Sequence, residues 1–277
     1  MIQSILDYIA RAGVLTVEQL AIVLGPVLIL AFILDYLSRF VRNRAARILS
    51  LNFYIYLTAP GVMIHELGHA FFCVIFRHRI VSMHLFKPGR DGTLGSVEHA
   101  YDRKSIYQRI GNFFIGTGPI WFGTALVCLL AWYLLGPAAS DALRDVAAPR
   151  GGTDIAATAG QAAAVVWQLF RSLLRPSLLA TWRFWIVAYF IFCIGSHITL
   201  SRSDIRGTLG GFVFLVALVL VFDLLTSSFS EEFSLRACQQ LLRGSVVFCA
   251  GISLVVCLNL LLAAVLMVLS AAIQFVR

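Results

Sequence analysis

Residues 58–72 read TAPGVMIHELGHAFF, an apolar run interrupted by His65-Glu66-Leu67-Gly68-His69. On an α-helix, at 100° per residue, His65 and His69 stand about 40° apart and one turn up, so both imidazoles can grip one tetrahedral metal ion. This is the H-E-x-x-H pattern: two histidines as zinc ligands, and a glutamate projecting beside them where it can hold a metal-bound water. A chance match is expected only about 0.002 times in a chain with this histidine and glutamate content. Three ionisable side chains in one turn of an apolar helix are costly unless they coordinate something or line a wet cavity.

The surroundings say what kind of helix this is. Of 277 residues, 60% are hydrophobic and 13% charged, with a mean hydropathy of +0.87. A water-soluble globule carries about a quarter charged residues, and a disordered chain has low hydrophobicity. The remaining class is a polytopic membrane protein. The net charge of +8 comes from scattered Lys and Arg between apolar runs, as in headgroup anchors, with no basic helix carrying interleaved aromatics, so no nucleic-acid partner is expected. The six cysteines lie in or beside apolar runs without C-x-x-C spacing and read as small core residues. No cleavable signal peptide is expected.

Six runs have the length of a membrane-spanning helix: 17–37, 51–76, 110–135, 179–200, 209–225 and 246–275. Residues 1–14 read as an amphipathic interfacial helix. The polar interruption at 137–178 ends in an Ala-rich stretch, 155–175, that is either an interfacial helix or a seventh span. Between the second and third spans, RHRIVSMHLFKPGRDGTLGSVEHAYDRK (77–104) alternates as two β-prone segments around Pro-Gly and Asp-Gly turns. The expected fold is therefore an all-α polytopic membrane protein of about six transmembrane helices with a small β-hairpin at 80–101. It divides into an N-terminal segment and first helix (1–50), a catalytic core (51–226) and a C-terminal helix (227–277). Charge does not orient it, because the two sides receive equal numbers of Lys and Arg.

A catalytic zinc needs a third protein ligand. The local extension H-E-x-x-H-x-x-G-x-x-H fails, since Phe72 and Ile75 occupy the required positions. Asp91 and Glu98 lie downstream, in a turn and a strand. Asp204 is the better candidate, in GSHITLSRSDIRGTLGG (195–211), a polar Gly-rich break that could return a carboxylate to a buried metal. Its competing role is a helix cap, and His197 is the alternate ligand or a supporting group. Pro60-Gly61 either loosens the helix before His65 or marks its start. Asn112 is either a polar lining of the cavity or a cap. Glu231-Glu232-Phe-Ser-Leu-Arg236 matches an E-E-x-x-x-R signature of another membrane-protease class, but no histidine follows His197, and the pair reads as a helix start.

A membrane-embedded H-E-L-G-H, a hairpin, a span with Gly118-Pro119 and an Asp before a Gly-rich stretch together resemble the site-2 protease family of intramembrane zinc metalloproteases, over about residues 51–226. That resemblance implies Zn2+ held by His65, His69 and Asp204, with Glu66 as catalytic base. The chain departs from the family's distal motif at Ser196 or His197, Thr199 and Ile205, and carries Trp121-Phe122 where the family has Asn after Gly-Pro. The implied activity is hydrolysis of peptide bonds in a transmembrane or membrane-associated protein, in a multi-pass protein of a bacterial-type inner or plasma membrane. The hairpin segment Ile80, Val81, Ser82, Met83, His84 and Leu85 is the expected substrate-binding strand, by β-augmentation, or else a connector. The competing class is a non-proteolytic membrane scaffold, chaperone or transporter that keeps a zinc site.

Overall fold

The computed structural model describes residues 2–89, 92–136, 155–227 and 231–276. The chain runs α1 (Ile2–Leu49), α2 (Leu51–Leu57), α3 (Ala59–Ile75), β1 (Arg79–His84), β2 (Ser96–Ala100), α4 (Ile106–Gly116), α5 (Gly118–Leu135), α6 (Ile155–Leu173), α7 (Pro176–Leu179), α8 (Trp182–Gly195), α9 (Arg202–Ser227) and α10 (Glu231–Val276). Among the described residues, four helical stretches are long and apolar enough to cross a membrane: Leu6–Leu49, Gly118–Leu135, Ser203–Thr226 and Gly244–Val268. The pair Leu51–Leu57 and Ala59–Ile75, bent by 56°, makes a fifth if it counts as one span. Trp182–Gly195 is apolar but, at 14 residues, only about 21 Å long. Each of the six expected runs contains helix, but they are not six uninterrupted spans, and the run 179–200 is helical mainly over Trp182–Gly195.

The differences have local causes. Two of the runs break at Thr-x-Pro. Thr58 precedes Ala59-Pro60, and Thr117 precedes Gly118-Pro119, so each proline falls in the first turn of a new helix, where its missing N–H costs nothing. Each threonine caps the broken turn by donating its hydroxyl back to a carbonyl four residues earlier, Tyr54 at 2.9 Å and Phe113 at 2.7 Å. Pro60 therefore marks the start of α3. The separate amphipathic helix expected over 1–14 is instead continuous with the first span. Nothing between Val14 and Val17 breaks the helix, and Thr16 and Gln19 are buried against Asp223 of α9 rather than set at a surface. The stretch expected at 155–175 forms α6, which is not among the long apolar helices. Residues 137–154 and Asp91 lie outside the described residues.

The main apolar core joins Leu34 of α1, Ile120 and Val127 of α5, Ile191 and Ile194 of α8, and Ile252 and Val255 of α10. One smaller cluster ties α6 to α5, α8 and α10 through Leu169 and Leu173, and another ties α1 to α2 and α10 through Val41 and Tyr54. α3 packs beside this framework against α4, α5, α8 and the hairpin. Gly68 and Gly118 make its contact with α5 possible, since a Cβ on Gly118 would stand 2.7 Å from the carbonyl oxygen of Gly68.

β1 and β2 pair antiparallel, Arg79 opposite Ala100 and His84 opposite Ser96, with an irregularity between Ile80 and Ser82. The hairpin does not project away from the helices. It leaves the end of α3 and turns back along it, so that Phe86 near its tip meets Tyr56 of α2 with ring centroids 5.6 Å apart.

Candidate metal centre

His65 and His69 lie one turn apart in the middle of α3, a helix of 17 residues, and so share one face. The Nδ1 of His65 is 2.8 Å from the backbone oxygen of His197, and the Nδ1 of His69 is 2.7 Å from that of Ile115. A carbonyl oxygen only accepts, so each ring carries its proton on Nδ1 and turns a bare Nε2 inward. The two Nε2 atoms are 3.2 Å apart. With both lone pairs facing each other, neither can donate to the other.

Asp204 completes the group. Its Oδ2 is 3.8 Å from Nε2 of His65, and its Oδ1 is 3.5 Å from Nε2 of His69. All three ligand atoms lie within 4.8 Å of one another, and among the described residues this is the cluster that could hold a metal ion. Ligands at about 2.0–2.1 Å around a tetrahedral ion stand about 3.4 Å apart, so two imidazoles and a carboxylate at these separations fit a divalent cation. The competing role for Asp204 is also present. The backbone N–H of Ser201 donates to Oδ2 at 2.7 Å and the N–H of Asp204 donates to Ser201 Oγ at 3.2 Å, a reciprocal cap on the first turn of α9. One carboxylate serves both: Oδ2 accepts the cap hydrogen bond and stands near His65, while Oδ1 faces His69.

Asp204 reaches the histidines because α4 and α9 touch closely. A Cβ on Gly116 would stand 2.1 Å from Oγ1 of Thr208 and 2.7 Å from the carbonyl oxygen of Asp204. The break after α8 contributes through its backbone. His197 supplies its carbonyl to His65, while its ring Nε2 lies 3.1 Å from Oγ1 of Thr58. It orients a histidine and is not one of the three clustered ligands. Glu98 is exposed on β2, opposite Ser82.

The three groups open into a cavity of about 1420 Å³, lined also by Glu66, Asn112, Ser196, Arg42 and Arg206. Asn112 therefore takes its cavity-lining role. From the hairpin, the lining residues include Gly95, Ser96, Val97, His99 and Tyr101, and none of Ile80, Val81, Ser82, Met83, His84 or Leu85. The strand along the cavity is β2, with β1 behind it. A Cβ on Gly95 would stand 2.7 Å from Cγ of Glu66, so glycine there lets the hairpin lie against the turn that carries His65, Glu66 and His69. Trp121, at the position where the resembled family has Asn, donates its indole N–H to Thr117 Oγ1 at 2.9 Å.

The carbonyls of Ile115 and His197 leave no mark in the sequence, since every residue carries one, and the sequence signal at His99 is no more than a histidine on a β-prone segment.

No family model matches the chain, and neither a curated protein nor a solved structure matches it.

Proposed function

We propose that the protein is a multi-pass membrane zinc endopeptidase that cuts transmembrane or membrane-associated proteins, with His65, His69 and Asp204 as metal ligands and Glu66 as general base. The observation that carries this reading is the pair of imidazoles held as Nδ1–H tautomers by two backbone carbonyls, with both bare Nε2 atoms facing a carboxylate. Zinc bound there would polarise the scissile carbonyl and acidify a water molecule. Glu66, the next residue to His65 and a lining residue of the same cavity, takes the proton of the attacking water and returns it to the scissile nitrogen. The carbonyls of His197 and Ile115 keep both histidines from turning as charge moves.

Substrate is held by backbone. A helix hides its carbonyls in its own hydrogen bonds, so a substrate must be extended before attack. β2 pairs with β1 on one side and lies along the cavity with the other, which supports pairing with an extended segment in register beside Glu66. The cavity also exceeds the roughly 300–1,000 Å³ typical of small-molecule sites, as a peptide segment requires.

The test uses the full chain purified in detergent micelles, with β-casein and a quenched-fluorescent library of extended apolar peptides as probes. The wild type should carry one zinc per chain and cleave. Glu66→Gln should keep the zinc and lose cleavage by at least about 100-fold, the lower end of general-base contributions. A wild type that binds zinc but cuts no probe, or a Glu66→Gln variant that cuts normally, would overturn the reading; the first result would favour a zinc-holding scaffold or transporter.

A further inference from the structure

Two histidines outside the metal cluster are locked to each other at the base of the hairpin. Nε2 of His78 lies 2.8 Å from the carbonyl oxygen of Gln108, and its Nδ1 lies 3.0 Å from Nδ1 of His99. The carbonyl can only accept, so His78 carries its proton on Nε2 and offers a lone pair at Nδ1. His99 must then donate from Nδ1, which leaves its own Nε2 bare. Burial holds both rings below the usual imidazole range, His99 at about 4 with the charges of His78 and His69 adding to the effect, so both are neutral near pH 7. Tyr101 stacks on His78, centroids 5.1 Å apart and planes 16° apart, which fixes the ring.

The second observation is where this locked acceptor sits. His99 lines the cavity that holds His65, Glu66 and His69. Four residues earlier in the chain, Gly95 touches Glu66. The chain therefore enters β2 with Gly95 against Glu66, and β2 carries His99 onward along the wall of the same cavity. A substrate strand on the open edge of β2 would carry its scissile bond past this stretch.

We propose that His99 is a further catalytic residue, whose bare Nε2 accepts a hydrogen bond from the scissile nitrogen as that nitrogen becomes the leaving amine. The inference rests on the proteolytic reading of the site. When Glu66 passes the water's proton to the nitrogen, the C–N bond breaks, its electron pair stays on nitrogen and the amine gains an N–H. His99 accepts a hydrogen bond from that amine and exchanges no proton, so the protons balance among water, Glu66 and product. His78 is a positioning residue, acting through the tautomer it imposes.

The experiment uses two forms of one cleaved quenched peptide, with the scissile bond an amide or an ester. An ester's leaving oxygen never becomes a cationic N–H donor. His99→Phe should lower kcat on the amide by about 10- to 100-fold, the worth of one hydrogen bond to a charged group, with KM and zinc content unchanged. On the ester the variant should stay near the wild-type rate. His99→Gln, whose Oε1 can stand in for Nε2, should recover most of the loss. Equal losses on amide and ester, or a His99→Phe variant at wild-type rate on the amide, would overturn the proposal. In the latter case an inactive Glu66→Gln leaves the proteolytic reading standing, whereas an active one removes that reading itself. Apart from turnover, 15N-histidine spectra of the full chain should show an unprotonated Nε2 on His99 that becomes a tautomer mixture in His78→Ala. A protonated Nε2 in the wild type would overturn the assignment.

Discussion

At Asp204 two roles share one carboxylate, and they can be separated. Ser201 is the N-cap and Asp204 answers it from three residues on, where the amide oxygen of asparagine can still accept from the Ser201 N–H, so Asp204→Asn should keep the first turn of α9 and change stability by less than about 1 kcal/mol. It should still weaken zinc binding by at least 10- to 100-fold, because a neutral amide is a poor ligand. Ser201→Ala loses the cap alone and should cost about 1 kcal/mol in thermal unfolding with zinc binding nearly intact. Zinc competition titrations and melting curves of the two variants check the split, and equal effects on both quantities would remove it. Gly116 offers a second residue-scale test. A methyl there collides with Thr208 and with the backbone of Asp204, whereas one on Gly207 meets nothing within 4 Å. Gly116→Ala should therefore displace Asp204 and lower zinc affinity, while Gly207→Ala should leave it unchanged, as measured by the same titration.

At the scale of elements, the hairpin responds to pH through its pair of histidines. His78 and His99 resist protonation in the fold because burial disfavours the charged ring, whereas the unfolded chain takes up protons near 6.5. Between pH 6.5 and about 4 the unfolded state holds more protons, so stability falls as pH drops through that window and is fully kept above it. Protonation would also remove the lone pair through which the two rings bind. Hydrogen exchange of the strand amides should accelerate from pH 6.5 towards 4, after correction for the intrinsic rate, and His99→Gln should flatten that dependence. Identical slopes in the two proteins would count against the histidine pair. The same element shows the limit of pattern reading. Alternation of β-prone residues was enough to place a hairpin at 80–101, but both strands alternate alike. Both pack on α3, and which of them lines the cavity depends on the turn-back along that helix, where a glycine at 95 allows the approach to Glu66.

For the whole molecule, α9 matters most because it carries Asp204, the proposed ligand, and yet is lightly buried, with only 11% of its most apolar window inside the protein. It is fastened near its start to α4 and near its end to α1. At the far end Asp223, fully buried, accepts from Thr16 Oγ1 at 2.6 Å and from Gln19 Nε2 at 3.1 Å, and Tyr8 donates its hydroxyl to the carbonyl of Leu224. Thr16→Val should cost about 0.6 kcal/mol, the average for hydrogen bonds between membrane helices. Asp223→Ala, which strands two buried donors, should cost about 1–3 kcal/mol, and zinc should still bind at one per chain. Thermal unfolding in micelles with zinc analysis measures both, and a destabilisation confined to Thr16→Val would contradict the role given to Asp223.

By itself the sequence determined what short range and composition control. Apolar runs specify helices, a four-residue spacing puts His65 and His69 on one face with Glu66 beside them, and Thr-x-Pro marks where two helices restart. It also brought forward Asp204, through a polar break that made a returning carboxylate plausible, without deciding between cap and ligand. Only the tertiary structure decided that Asp204 caps α9 and also stands beside both histidines, that β2 lines the cavity, and that Ile115, His197 and His78 set the tautomers of the histidines there. These depend on contacts across tens to more than a hundred residues and largely on backbone carbonyls, which are the same in every residue and leave no mark in the sequence.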